Sequence, residues 1–325
     1  MPSFSNTKLK LFIPALLFVA TYFGYKNVTA EATHSRSLTT AHEIPKLVHF
    51  MVLGNNAPEY MIEMVNVNVE RLRSMGYESK LWRDEDAERL VAEYNDPQVS
   101  QSWEWVKEDK RESGTAKQAD FLRPLIMYVE GGIYLDTDMV PCDTMDYMTD
   151  DPEVVSFPHY HAASDQVNGA AMSSRPGHPL MKMAMDSFVA LGPDITWLHN
   201  LISAGPHKMA EVTDAYLETL GFDLPPVFST PQYNPFVDAP EVTMRVNDWW
   251  GQIGDVRFGS PVHRGPPTTY HLGAGSWILN YSHGSRCSEH PEVIRGFVDW
   301  MCVPERRHHG LRYDHCGIYM DEIGA

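Results

Sequence analysis

Two aspartates one residue apart, Asp136 and Asp138, follow the short apolar run Ile133-Tyr134-Leu135. Mg2+ and Mn2+ take hard oxygen ligands and keep part of their coordination shell for phosphate oxygens. Two carboxylates where a strand runs out therefore make a place for such an ion, open to a diphosphate. A strand has period two, so Tyr134, Asp136 and Asp138 are expected to point to one side. Upstream, Asp120 and Arg123 lie one helical turn apart and share a face, which brings a carboxylate and a guanidinium together. Each pair also has a plainer reading: an exposed acidic loop for the aspartates, a structural ion pair for Asp120 and Arg123.

The elements that must hold these residues are written around them. Thr115 with Gln118 three positions on fits a capping box, predicting a helix that starts there. Phe121, Leu122, Leu125, Tyr128 and Val129 give it an apolar face. Pro124 inside that helix removes the bond to the carbonyl of Asp120 and predicts either a kink or a short helix. Gly131-Gly132 ends the helix and reverses the chain, and Ile133–Leu135 follows as a strand.

The string AKQADFLRPLIMYVEGGIYLDTD, with Asp120, Arg123, Gly131-Gly132, Tyr134, Asp136 and Asp138 in register, resembles glycosyltransferase family 32, whose sugar-binding region contains a DXD motif. That group includes fungal Golgi mannosyltransferases, mannosyl-inositol-phosphoceramide synthases and animal α1,4-glycosyltransferases. The resemblance implies a GT-A type, Rossmann-like α/β fold that binds a nucleotide sugar. It implies Mn2+ or Mg2+ on Asp136 and Asp138, and a donor held by Asp120, Arg123 and Tyr134. Ile44-Pro45-Lys46-Leu47-Val48-His49-Phe50 looks like the family's opening strand, which puts His49 either toward the nucleotide or into packing. The tryptophan that often follows that strand is absent near Met51-Val52, leaving the choice of uridine or guanosine open. Asn168-Gly169-Ala170 resembles the segment that returns to the donor, with Asn168 as a contact or as turn chemistry beside Gly169. His271 to Trp277 resembles the late GSW element, which implies His271 as a third metal ligand or diphosphate contact, with Ser276 and Trp277 near the diphosphate.

The chain has 325 residues, 43% of them hydrophobic, enough for a sizeable core. A formal net charge of -17 argues against a nucleic-acid binder, which shows a basic patch or stripe. Lys8 and Lys10 precede an apolar run from Leu11 to Tyr25, closed by Lys26. The run falls short of the roughly 20 residues of a standard span and fits a signal-peptide core or a signal-anchor. Family resemblance implies the anchor: a type II Golgi or ER membrane protein, or a secreted one if the segment is cleaved. Residues 1–30 are thus read as anchor or signal, 31–43 as a stem, and 44–325 as a single lumenal GT-A catalytic domain.

Between the ends, Glu59–Met75 reads as a helix stopped by Gly76, Tyr77–Trp82 as a strand, and Asp84–Tyr94 as a helix capped by Asp84. Trp103 and Trp105 lie in a charged segment, read as packed surface aromatics or a mobile loop over the site. Val154–Phe157 reads as a strand, Pro179–Val189 as a helix, and Gly205-Pro206 as a helix start. Asn27 and Asn280 begin glycosylation sequons. Cys142, Cys287, Cys302 and Cys316 suit disulfides in an oxidising lumen, with one pair among the last three.

The function implied is a retaining, metal-dependent transfer of a hexose from a GDP- or UDP-sugar to a glycan or glycolipid acceptor, the hexose being mannose, galactose or N-acetylglucosamine. The alternatives are a non-catalytic lumenal partner that keeps the fold and binds sugar or metal, and a metal-dependent hydrolase. No H-E-x-x-H or similar cluster supplies the positioned base that a hydrolase needs.

Overall fold

Strand and helix periodicities alternate from residue 47 on, and the chain folds accordingly. The computed structural model describes residues 43–54, 59–109, 114–143, 145–150, 155–158, 169–196, 205–219, 244–247, 269–271, 290–301 and 315–324. In order these give β1 (Leu47–Met51), α1 (Glu59–Ser74), β2 (Glu78–Trp82), α2 (Asp84–Tyr94), α3 (Pro97–Glu108) and α4 (Gly114–Val129). Then come β3 (Gly132–Leu135), β4 (Met139–Pro141), β5 (Val155–Pro158), β6 (Ala171–Ser174), α5 (Pro179–Val189) and α6 (Pro206–Thr219). The remainder are β7 (Met244–Asn247), β8 (Thr269–His271), α7 (Ile294–Met301) and α8 (His315–Ile323). The predicted anchor and nearly all of the stem lie outside the described residues, and no described helix is long and apolar enough to cross a membrane.

Six strands form the main sheet in the order β2-β1-β3-β6-β5-β7, and β4 pairs with β8 in a separate two-stranded sheet. β1 runs parallel to both β2 and β3; β6 is antiparallel to β3 and β5, and β7 is parallel to β5. This is the mixed α/β arrangement that a GT-A fold implies. The chain leaves β1 toward β2 on one side and comes back to β3 on the other. The switch point therefore lies between β1 and β3, the place where open α/β sheets bind ligands at the carboxyl ends of their strands.

Period two divides the sheet's residues between its faces. Val48, Phe50, Ile133 and Leu135 pack on one face with Val65 and Leu72 of α1. Met51, Trp82, Tyr134 and Met172 pack on the other, against α2 to α6. α4 is the axis of that second layer. Phe121, Leu125, Ile126 and Met127 are fully buried, each contributing roughly 2 kcal/mol by burial. α4 continues through Pro124 to Val129, so the proline does not shorten it.

Several local expectations are corrected. Gly114 is already helical, so Thr115 lies inside the first turn of α4 rather than capping it. Asp84 is the first residue of α2, and the Arg83 N–H is taken by Asp86 at 3.1 Å. The Asp84 carboxylate instead accepts the Gly54 N–H, at 3.0 and 3.1 Å to its two oxygens, tying down the loop after β1. The tryptophan-bearing segment is the helix α3, capped by Asp96 with Pro97 in its first turn. Trp103 is buried there and stacks on Phe121 with centroids 6.0 Å apart.

Candidate active site

α4 ends in two glycines that let β3 start hard against β1. Both have positive φ (Gly131 +64°, Gly132 +93°), and a Cβ on Gly132 would collide with the Leu47 carbonyl oxygen. That close approach sets the height of β3, and with it the place where Asp136 emerges.

Asp136 is not on a strand. Residues 136–138 form a turn closed by the Met139 N–H to the Asp136 carbonyl at 3.0 Å, so a turn, not the strand pleat, sets the spacing of the two carboxylates. The Asp136 N–H donates to the Ala170 carbonyl at 2.7 Å, carrying the β3–β6 ladder one residue further. Its Oδ1 accepts from the Tyr134 hydroxyl at 2.7 Å and from Arg123 at 3.1 Å. The other guanidinium terminus of Arg123 pairs with Asp120 at 3.0 Å. Its Nε is buried and has no hydrogen-bond partner among the described residues. The guanidinium also lies 5.2 Å from the centre of the Tyr134 ring.

This network is mostly dry, and the electrostatics follow. Burial pushes the Asp120 carboxyl up to about 7; Arg123 and Lys117 pull it down while Asp136 raises it. Burial works against the Arg123 charge, but Asp136 and Asp120 more than offset it and hold its pKa above the ordinary value. Burial and then the Asp136 charge raise the Tyr134 phenol well above its usual range. At the network's edge Asp136 and Asp138 are both partly exposed.

Three contributors were not read from the sequence. Lys117 lies one turn before Asp120 on α4, fully buried, donating to Asp109 at 2.7 Å and to the Ile195 carbonyl at 2.7 Å. The i, i+3 series Lys117, Asp120, Arg123 was its available signal. Gly169 leaves room for the guanidinium: a Cβ there would meet Arg123 Nη1 at 2.6 Å. Tyr60, in the first turn of α1, has its phenol pKa raised by burial and then by the Asp138 charge, which places it within electrostatic reach of that carboxylate.

His49 is corrected from a nucleotide contact to a packing residue. It is fully buried; its Nδ1 accepts the Trp82 indole N–H at 3.0 Å and its Nε2 donates to the Gly131 carbonyl at 2.8 Å. No ring nitrogen is left for a donor, and burial lowers its pKa to about 4. Asn168, Ser276 and Trp277 lie outside the described residues. So does the side chain of His271, although its backbone pairs opposite Met139, the residue after Asp138.

The donor set of Asp136 and Asp138 fits a hard divalent cation that keeps positions for phosphate oxygens. Among the described residues no third histidine, cysteine or carboxylate joins them in one group.

Residues 52–155, from the end of β1 to the start of β5, match the sequence model of a family described as glycosyltransferase sugar-binding region containing DXD motif. No curated protein sequence matches the chain. Among solved structures it is similar to "PaToxG Glycosyltransferase", at 18% identity over 56% of this chain and 72% of that one, with a TM-score of 0.42. It is also similar to the UDP-bound glycosyltransferase domain from the YGT toxin, at 10% identity over 56% of this chain and 69% of that one, with a TM-score of 0.35.

Proposed function

We propose that the chain is a metal-dependent glycosyltransferase that moves a hexose from a GDP- or UDP-sugar to a glycan or glycolipid acceptor, with retention of configuration. The observation that carries this reading is the convergence of Asp120, Arg123, Tyr134 and Asp136 in one largely buried network, with Asp136 and Asp138 partly exposed at its edge, inside the segment that matches the sugar-binding family. The network follows β3, beside the switch point between β1 and β3. Assignment to family 32 within that broader match rests on the string around Asp136.

Asp136 and Asp138 would hold Mn2+ or Mg2+. When bound, the ion supplies positive charge against the leaving nucleoside diphosphate. The remaining work is done by side chains. Arg123 is clamped between two carboxylates and is pre-organised rather than swinging in from solvent. Asp120, poised near neutrality, can donate to or accept from a sugar hydroxyl. Tyr134 holds Asp136 in one orientation. Retention in this reading proceeds by departure and attack on the same face of the sugar, without a glycosyl-enzyme. A sugar trapped covalently on one carboxylate would overturn that part.

Cys142 is disulfide-bonded, and a disulfide supports an oxidising compartment such as the secretory lumen. An N-terminal signal-anchor holding the enzyme as a type II Golgi or ER protein completes the reading. The test is titration of the folded protein with UDP and GDP, with and without Mn2+, beside Asp138→Asn. Metal-dependent binding of one nucleotide is expected, weakened by about 100-fold or more in the variant. No binding of either nucleotide would favour a non-catalytic partner.

A further inference from the structure

The turn that carries Asp138 opens directly into β4. One edge of β4 pairs with β8, Met139 opposite His271 and Pro141 opposite Thr269. Successive carbonyls of a strand point to opposite edges, so those of Met139 and Pro141 share a direction. Among the described residues no strand meets them. The Asn68 side-chain amide donates to the Met139 carbonyl at 2.8 Å, and Arg71 Nε donates to the Pro141 carbonyl at 2.9 Å. Both donors come from α1, one turn apart. The rise between them is roughly 4.5 Å against roughly 6.6 Å between the carbonyls, and the length of the arginine makes up the difference. Pro141 has no N–H to offer a ladder and fits this outer register.

Both donors are themselves fixed. The remaining nitrogens of Arg71 pair with Asp143 at 2.9 Å and with Asp299 of α7 at 3.1 Å. Asn68 is fully buried on the helix side whose Met64 and Val67 pack with Val140 and Cys142. Its Oδ1 accepts no hydrogen bond among the described residues. A half-satisfied buried amide is costly compared with an apolar residue of the same size, so what justifies it here is the donor it gives Met139.

We propose that Asn68 and Arg71 are positioning residues for Asp138. They act as a side-chain surrogate for a strand, holding the carbonyls of Met139 and Pro141, one and three residues beyond Asp138, and thereby fixing the strand into which the Asp138 turn leads and the direction of its carboxylate. The inference rests on Asp138 being a metal–nucleotide residue, as proposed above. Loss of such outer partners typically weakens metal binding by about 10- to 100-fold.

Mn2+ binding in the presence of UDP or GDP, followed through the paramagnetic resonance of free Mn2+, tests it on wild type, Asn68→Leu, Arg71→Lys and Asp138→Asn, with metal-free urea unfolding in parallel. Weakening of about 10- to 100-fold is expected in folded Asn68→Leu. A smaller weakening is expected in Arg71→Lys, which keeps a charge toward Asp143 and Asp299 but has no Nε for Pro141. Wild-type Mn2+ affinity in folded Asn68→Leu overturns the proposal. Should that variant fail to fold, wild-type affinity in Arg71→Lys overturns it. Wild-type protein that binds no Mn2+ with either nucleotide removes the metal–nucleotide reading itself, and this inference with it.

Discussion

Asp136 and Asp138 are two positions apart, yet they are anchored to different parts of the molecule. Asp136 belongs to the six-stranded sheet: its N–H continues the β3–β6 ladder and its carboxylate is gripped by Tyr134 and Arg123. Asp138 leads into the two-stranded sheet, whose outer edge is held by Asn68 and Arg71. Both carboxylates are partly exposed, and what differs is the framework that holds each. The difference separates two kinds of support: a side-chain network within the main sheet for Asp136, and the held edge of a second sheet for the strand that follows Asp138.

Among single substitutions, the comparison is broken most severely by Arg123→Met. It leaves the buried Asp120 and the part-buried Asp136 without their cation and should lower unfolding free energy by about 3 kcal/mol in urea titrations. Asp138→Asn should stay within about 1 kcal/mol of wild type in the same titrations. Equal losses would show that the two carboxylates are not differently anchored.

Acid should act on the main-sheet side, because its two buried histidines fold neutral. His49 lies beneath the start of β3, and His178 caps α5 by accepting the Leu180 N–H at 3.2 Å. Burial lowers both to about 4, with Arg175 adding to the effect at His178. A depressed folded pKa means that the unfolded chain binds the extra proton. Their stabilisation is therefore complete above the unfolded value of about 6.5, falls through the window down to about 4, and is flat below it. Each contributes about 3 kcal/mol across that window. Thermal midpoints measured from pH 7 to pH 4 should trace the decline. His178→Asn, which keeps an N-cap acceptor, should remove roughly half of it.

A milder perturbation of the Arg123 network should come from Gly169→Ala. The added methyl meets the Arg123 guanidinium and should cost about 1 to 3 kcal/mol of stability. It should also weaken nucleotide binding more than Gly177→Ala, where φ of +69° strains the backbone but a Cβ meets no atom within 4 Å.

The asymmetry also explains what could be read from the sequence. The Asp136 side is written locally: Asp120, Arg123, Gly131-Gly132, Tyr134 and Asp136 fall within one helix–turn–strand, where periodicity places each side chain. The helices α1, α2 and α5 and the start of α6 were readable for the same reason. α3 was not predicted although Asp96-Pro97 is a helix start and Val99, Trp103 and Val106 keep helical spacing. His49 was left between two readings because a strand's period tells which face a residue takes but not what waits there; Trp82 and Gly131 take both nitrogens. Asn68 and Arg71 carry no local signal at all. They lie about seventy positions from the carbonyls they hold, and only the tertiary fold joins them.

That separation has a consequence for how the molecule is made. All the described partners of Asp136 are present once Ser174 has been synthesised, so the Asp136 half of the site can assemble on a growing chain. β4 waits for Thr269–His271 to complete its sheet and for Asp299 to complete the Arg71 fork. Closing so long a loop is entropically expensive and slow. A nascent chain therefore passes through a stage in which Asp136 is set and the strand leading from Asp138 is not, and the relative placement of the two aspartates is among the last features of the protein to mature.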